Sequence, residues 1–216
     1  MITNTLSHSK EEITEQKFKS LVYKILSDPN LHARWLNSLS FMENAGARKI
    51  SKYEDPIRTN IIVLKHAAEE ARHAYYLKKQ IEKLVPAGYP DYSHQYLLAP
   101  RTSTQYLYRL DIAACRYLKT NLGLVGRNLH HGAYLLVTYA IELRADGLYG
   151  VYQDALTACR SKVNVKSIIA EEEGHLEEMT KMLQDFHPQW EAIAADIVQI
   201  EQELFYNWIG EIAQSL

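Results

Sequence analysis

Glu69-Glu70-Ala71-Arg72-His73 recurs further along the chain as Glu171-Glu172-Glu173-Gly174-His175. In each string a glutamate and a histidine stand three residues apart, Glu70 with His73 and Glu172 with His175. On an α-helix that spacing puts both side chains on one face. A carboxylate and an imidazole sharing a face can hold a divalent cation from one side. One such pair is common on solvated helices. Two, on two helices with buried character, decide how the rest of the chain is read.

Around these strings, long segments carry helical periodicity and hardly any carry the strict alternation of a half-buried strand. Ser9-Lys10-Glu11-Glu12 has the form of a capping box and opens a first helix to about Leu26, which Asp28-Pro29-Asn30 breaks. A second helix is expected from about Leu31 to Tyr53, stopping before Asp55-Pro56, and a third from about Ile57 to Leu84. Pro86, Gly88, Pro90 and Pro100 mark the stretch from Val85 to Pro100 as a long connection. A shorter helix from Thr102 to about Thr120 follows, then long ones from about Val125 to Cys159 and Val165 to Phe186. After His187-Pro188 a terminal helix runs to near Gln214. The fold class is therefore all-α, a four-helix bundle over about residues 31–186 with a long crossover and extra helices at both ends. Residues 1–216 form a single domain.

A dimetal site in such a bundle needs one further carboxylate from each of the other two helices. Glu43, among Ser40, Phe41, Met42 and Ala45, and Glu142, among Tyr139, Ala140, Ile141 and Leu143, supply them. Glu43 precedes Glu70 by 27 residues, with Pro56 almost midway, so a hairpin turning at Pro56 brings both to one height. Glu142 precedes Glu172 by 30 residues, and there the turn signal Ser161 to Asn164 lies later than the midpoint near Thr157. Burying four carboxylates without compensating cations is prohibitively costly, and two divalent metals provide the compensation.

Composition narrows the remaining classes. The chain has 216 residues, 47% hydrophobic and 23% charged, with net charge −2, a balance that gives no general affinity for nucleic acid or an anionic membrane. No run approaches the ~20 apolar residues that span a bilayer, and the opening MITNTLSHSKEE is too polar for a secretory signal. Cys115 and Cys159 lack metal-ligand spacing and form no disulfide framework, so a reducing cytoplasm is the expected location.

The order Glu, Glu-x-x-His, Glu, Glu-x-x-His resembles the ferritin-like di-iron carboxylate superfamily, over about Leu31 to Phe186. The resemblance implies that Glu70 and Glu172 bridge two irons, that Glu43 and Glu142 bind terminally, and that His73 and His175 bind one metal each. Glu69 and Glu171 match the acid that precedes the motif glutamate in the oxygen-activating branch, where it accepts a hydrogen bond from a ligand histidine. With Arg72 the first string has the Glu-Glu-x-Arg-His form of the desaturases, although Glu69 and Arg72 also read as a surface pair. His66, four residues before Glu70, is similar to an extra histidine of arylamine N-oxygenases, which carry theirs on the second motif. It is either a further ligand or a buried support.

The resemblance implies a dimetal oxidoreductase that activates dioxygen to oxidise or hydroxylate a small organic substrate, with an external electron donor. The alternative is a ferroxidase, a peroxide-removing protein or a manganese catalase relative, since these ligands do not choose between iron and manganese. The small residues Ser40, Gly46, Ala47 and Ala145 leave room beside the glutamates, and Tyr76 and Tyr139 lie one turn from motif residues. The Tyr-rich stretch from Gly88 to Tyr108 is expected to be a lid or channel wall, or else a cover over the core or a homodimer contact.

Overall fold

A computed structural model describes residues 15–54, 57 and 60–216. The capping box at Ser9 and the turn at Pro56 lie outside the described residues. Helix α1 covers residues 15–26. It is followed by α2 (Pro29–Tyr53), α3 (Ile61–Ile81), α4 (Pro100–Leu122), α5 (Gly126–Ala158), α6 (Lys166–Phe186) and α7 (Trp190–Ser215). Among the described residues there is no strand, and no helix is long and apolar enough to cross a membrane.

Local chemistry fixes the helix ends. Asp28 accepts hydrogen bonds from the Asn30 and Leu31 amides at 2.7 and 3.0 Å, and Pro29 supplies a first helical residue that needs no amide partner. Asn60 caps α3 through the Ile62 amide. Gly123, in the left-handed region at φ 65°, closes α4.

The second helix packs on the third and the fifth on the sixth, while α3 touches α6 and α2 touches α5. Two hairpins thus face each other, with α4 and α7 laid over α5 and with α4 also against α2. In the first hairpin Glu43 lies ten residues before Tyr53 and Glu70 nine after Ile61, so the two meet at one height. The second hairpin reaches the same result differently. Residues 159–165 run back along α5, and the Val165 amide bonds Gln153 Oε1 at 2.8 Å, with Val163 and Val165 buried. That return draws the start of α6 level with Gln153 and cancels the late turn.

The long crossover is pinned to the outside of α2. Arg34 donates to the Leu97 carbonyl at 2.6 Å, Asn37 to the carbonyls of Asp91 and Tyr96, and the Leu98 amide donates to Ser38. Lys78 of α3 also donates to the carbonyls of Tyr89 and Asp91, and no residue of 88–99 lines the central cavity, so the expectation of a lid fails for that segment. From the Tyr-rich stretch Tyr106 and Leu107, both on α4, reach the central cavity, and Tyr108 is exposed.

Two apolar clusters fill the bundle. One gathers Trp35, Leu77, Tyr152 and Trp208, the other Leu110, Leu135, Met179 and Leu183. Along every central helix the motif residues fall between the two. A polar layer is thereby sealed at both ends.

Candidate metal centre

That layer brings together all six residues expected from the sequence. Glu43, Glu70, His73 and Glu172 offer donor atoms within 4.8 Å of one another, and so do Glu70, Glu142, Glu172 and His175. Glu70 and Glu172 belong to both groups. Either group is suited to hold a metal ion. Glu70, His73, Glu142, Glu172 and His175 are buried, and Glu43 is nearly so.

The free atoms point the same way. His73 Nδ1 and His175 Nδ1 are buried without a hydrogen-bonding partner, as are both carboxylate oxygens of Glu172. His73 Nδ1 stands 3.1 Å from Glu172 Oε1, and His175 Nδ1 lies 3.3 Å from Glu172 Oε2 and 3.5 Å from Glu142 Oε2. Buried polar atoms are rarely left unmatched. Oxygen and imidazole donors gathered at these distances are what a pair of divalent cations would satisfy, so the residues fit the group.

The outer nitrogens of the rings are engaged. His73 Nε2 donates to Glu171 at 2.8 Å and His175 Nε2 to Glu69 at 2.6 Å, each acid coming from the opposite hairpin. This orients each ring with Nδ1 toward the centre, the nitrogen that would give its lone pair to a metal on losing its proton. Arg72 holds Glu171 at 2.6 Å and reaches Glu69 at 3.6 Å, so it serves both acids.

Electrostatics describe a site that balances its charge with protons when no metal is bound. Burial, reinforced by Glu43, pushes the Glu70 carboxyl well above its ordinary range, and burial with Glu172 does so for Glu142. Burial also raises Glu43. Burial alone would raise Glu172 as well, but Glu142, His175 and His73 outweigh it and hold this acid low. Burial opposes charge on His175, yet Glu142 and Glu172 prevail and lift it to about 11. His73 is raised too, by Glu172 and Glu43 against the effect of burial. Metal entry would displace these protons.

A cavity with about 100 Å³ of free space adjoins the centre. All four glutamates line it and neither histidine does. Its walls are otherwise mostly apolar, including Leu39, Ile141, Leu148 and Phe205, with Gly46 and Ala145 as the small residues. Ser40 and Ala47 do not line it. Ser40 instead donates to the Ala74 carbonyl at 2.6 Å, tying α2 to α3, and Ala47 is buried.

Tyr76 and Tyr139 stand away from the centre: Tyr76 bonds Asn164 at 2.9 Å and Tyr139 packs edge-on to Trp190. The tyrosine at the site is Tyr149, buried and donating to Glu43. Its signal was its place seven residues after Glu142, two turns along the same face. His66 is buried in neither group, with Nε2 on Glu178 at 2.8 Å. His130 is exposed, and His131 is a partner of Tyr53.

No protein-family model matches the chain, and neither does any curated protein or solved structure.

Proposed function

We propose that this chain is a ferritin-like dimetal oxidoreductase that uses two iron ions to activate dioxygen toward a small, largely apolar organic substrate. The observation that carries the reading is the pair of four-residue groups sharing Glu70 and Glu172, set against an apolar cavity on their carboxylate side. Two bound ferrous ions would supply electrons to dioxygen. The chain's own residues do the rest. Glu70 and Glu172 tie the two positions together, Glu69 and Glu171 aim the imidazoles, and Tyr149 holds Glu43 in place.

The cavity turns mostly apolar walls to the carboxylate face, and its free space of about 100 Å³ restricts it to a small occupant. Its two cationic residues are engaged already. Arg144 pairs with the buried Glu201 at 2.9 and 2.8 Å, and Lys49 pairs with Asp111. An uncharged substrate suits such walls, because no buried charge is left to receive an ionic head. Turnover would need an external reductant.

The test is oxygen uptake by the reduced, iron-loaded protein in the presence of small uncharged organic compounds. Oxygen loss should match loss of one such compound and should require added reductant. Ala145→Phe, which projects a ring into the cavity, should keep both metals and lose that coupled uptake. A manganese form that releases oxygen from peroxide without reductant, beside an inert iron form, would replace this reading with a catalase-like one.

A further inference from the structure

We propose that small uncharged molecules reach the inner cavity through a second, polar cavity beside it, and that the Lys49–Asp111 ion pair is the gate between the two. The inference rests on the reading of the inner cavity as a substrate site and adds how that site is entered.

The second cavity has about 930 Å³ of free space, ample for any molecule that the inner one can hold. Lys52, Asn60, Asp111, His130 and His131 give it polar walls. Among the described residues Lys49 alone lines both cavities. On three helices one lining continues into the other within about a turn. On α2 Ile50 lines the inner cavity and Tyr53 the outer, on α4 Leu107 and Asp111 divide in the same way, and so do Val137 and Tyr134 on α5. The two spaces therefore follow one groove between α2, α4 and α5, with Lys49 at their junction. A lysine can line an apolar space with its stem and still carry its ammonium to a partner near water. Lys49 carries its ammonium to Asp111, across the contact of α2 with α4.

The two ion pairs around the inner cavity differ in kind. Arg144 is held by both oxygens of Glu201, which is 1% exposed and also accepts from Tyr106. Trp208, in the same wall, donates to Ser103 at 2.8 Å. Parting Arg144 from Glu201 would strand a buried charge, so that wall is fixed. The side chains of Lys49 and Asp111 are 23% and 34% exposed and meet through one carboxylate oxygen. Such a pair holds weakly, because water competes for both charges and the long lysine stem regains its freedom on release. The soft pair stands where the cavities meet, and the rigid one stands elsewhere. The way in opens at the soft pair.

The experiment follows difluoroethane, a small uncharged probe, in and out of the full chain by fluorine NMR exchange. Asp111 lines the outer cavity and not the inner, so Asp111→Asn leaves the inner walls intact. It should raise entry and exit rates together, by up to about fivefold, with Kd unchanged. Asp111→Cys capped with a bulky benzyl disulfide should lose the exchange and regain it on reduction. The natural chain, treated alike at Cys115 and Cys159, should keep it. Equal rates in the natural chain and Asp111→Asn, a change in Kd in place of the rates, or exchange that persists past the cap overturns the route and leaves the substrate site standing. Binding that survives Ala145→Phe, or no binding at all, overturns both.

Discussion

Glu172 has both carboxylate oxygens buried and unpartnered, between the free nitrogens of His73 and His175. A residue so placed has a stronger claim on two cations than on one. Glu172→Ala and Glu70→Ala should therefore each remove both metals, as measured by metal content after gel filtration. Glu43→Ala and Glu142→Ala should each weaken one position and spare the other. Equal, single-metal losses in all four variants would show that the two acids do not bridge. Glu69→Gln and Glu171→Gln should lower metal affinity by about 10–100-fold through the histidines they hold. Unchanged affinity would reduce these acids to partners of Arg72. At this scale the convergence of the six residues was legible because metal chemistry restricts residue type and spacing together. Tyr149 was not, because a tyrosine two turns from a motif glutamate is ordinary core until its hydroxyl is seen on Glu43.

At the level of elements, breakers delimited the helices to within a few residues: Asp28-Pro29 for α2 and His187-Pro188 between α6 and α7. The register of the second hairpin was not legible, since nothing in the composition of residues 159–165 announces that they fold back along α5. The crossover was misread for a similar reason. Tyr89, Tyr92 and Tyr96 look like lid residues, and the donors on α2 together with Lys78 of α3 reveal where that segment is tied. One joint between elements makes a separate prediction. His32, near the start of α2, bonds Tyr152 of α5 at 2.6 Å, and burial depresses its pKa to about 4. The unfolded chain, with an ordinary histidine near ~6.5, binds more protons between these values. His32 therefore makes its full contribution above about pH 6.5, and stability falls by roughly 3 kcal/mol as pH drops to about 4. In urea denaturation His32→Gln, which keeps a partner for Tyr152, should flatten the pH dependence across this window. Parallel curves for the two proteins would show that His32 does not titrate there.

Over the whole molecule, the arrangement is a polar layer clamped between two apolar clusters, with the outer helices closing one side. The central hairpins were readable from the doubled motif, whereas the cavity was not. Tyr106 and Leu107 come from α4, and Phe205 and Trp208 from α7, helices that carry no motif and reach the site only through tertiary packing. The same packing buries Glu201 against Arg144 and so keeps the cavity wall free of unpaired charge. The central claim is that two metals sit side by side in this layer, with Glu70 and Glu172 between them. It is tested most directly by anomalous diffraction from crystals of the full chain loaded anaerobically with iron(II). Two iron peaks ~3–4 Å apart, both within bonding reach of Glu70 and Glu172, are the predicted result. A single peak, or iron bound away from these two glutamates, would contradict it.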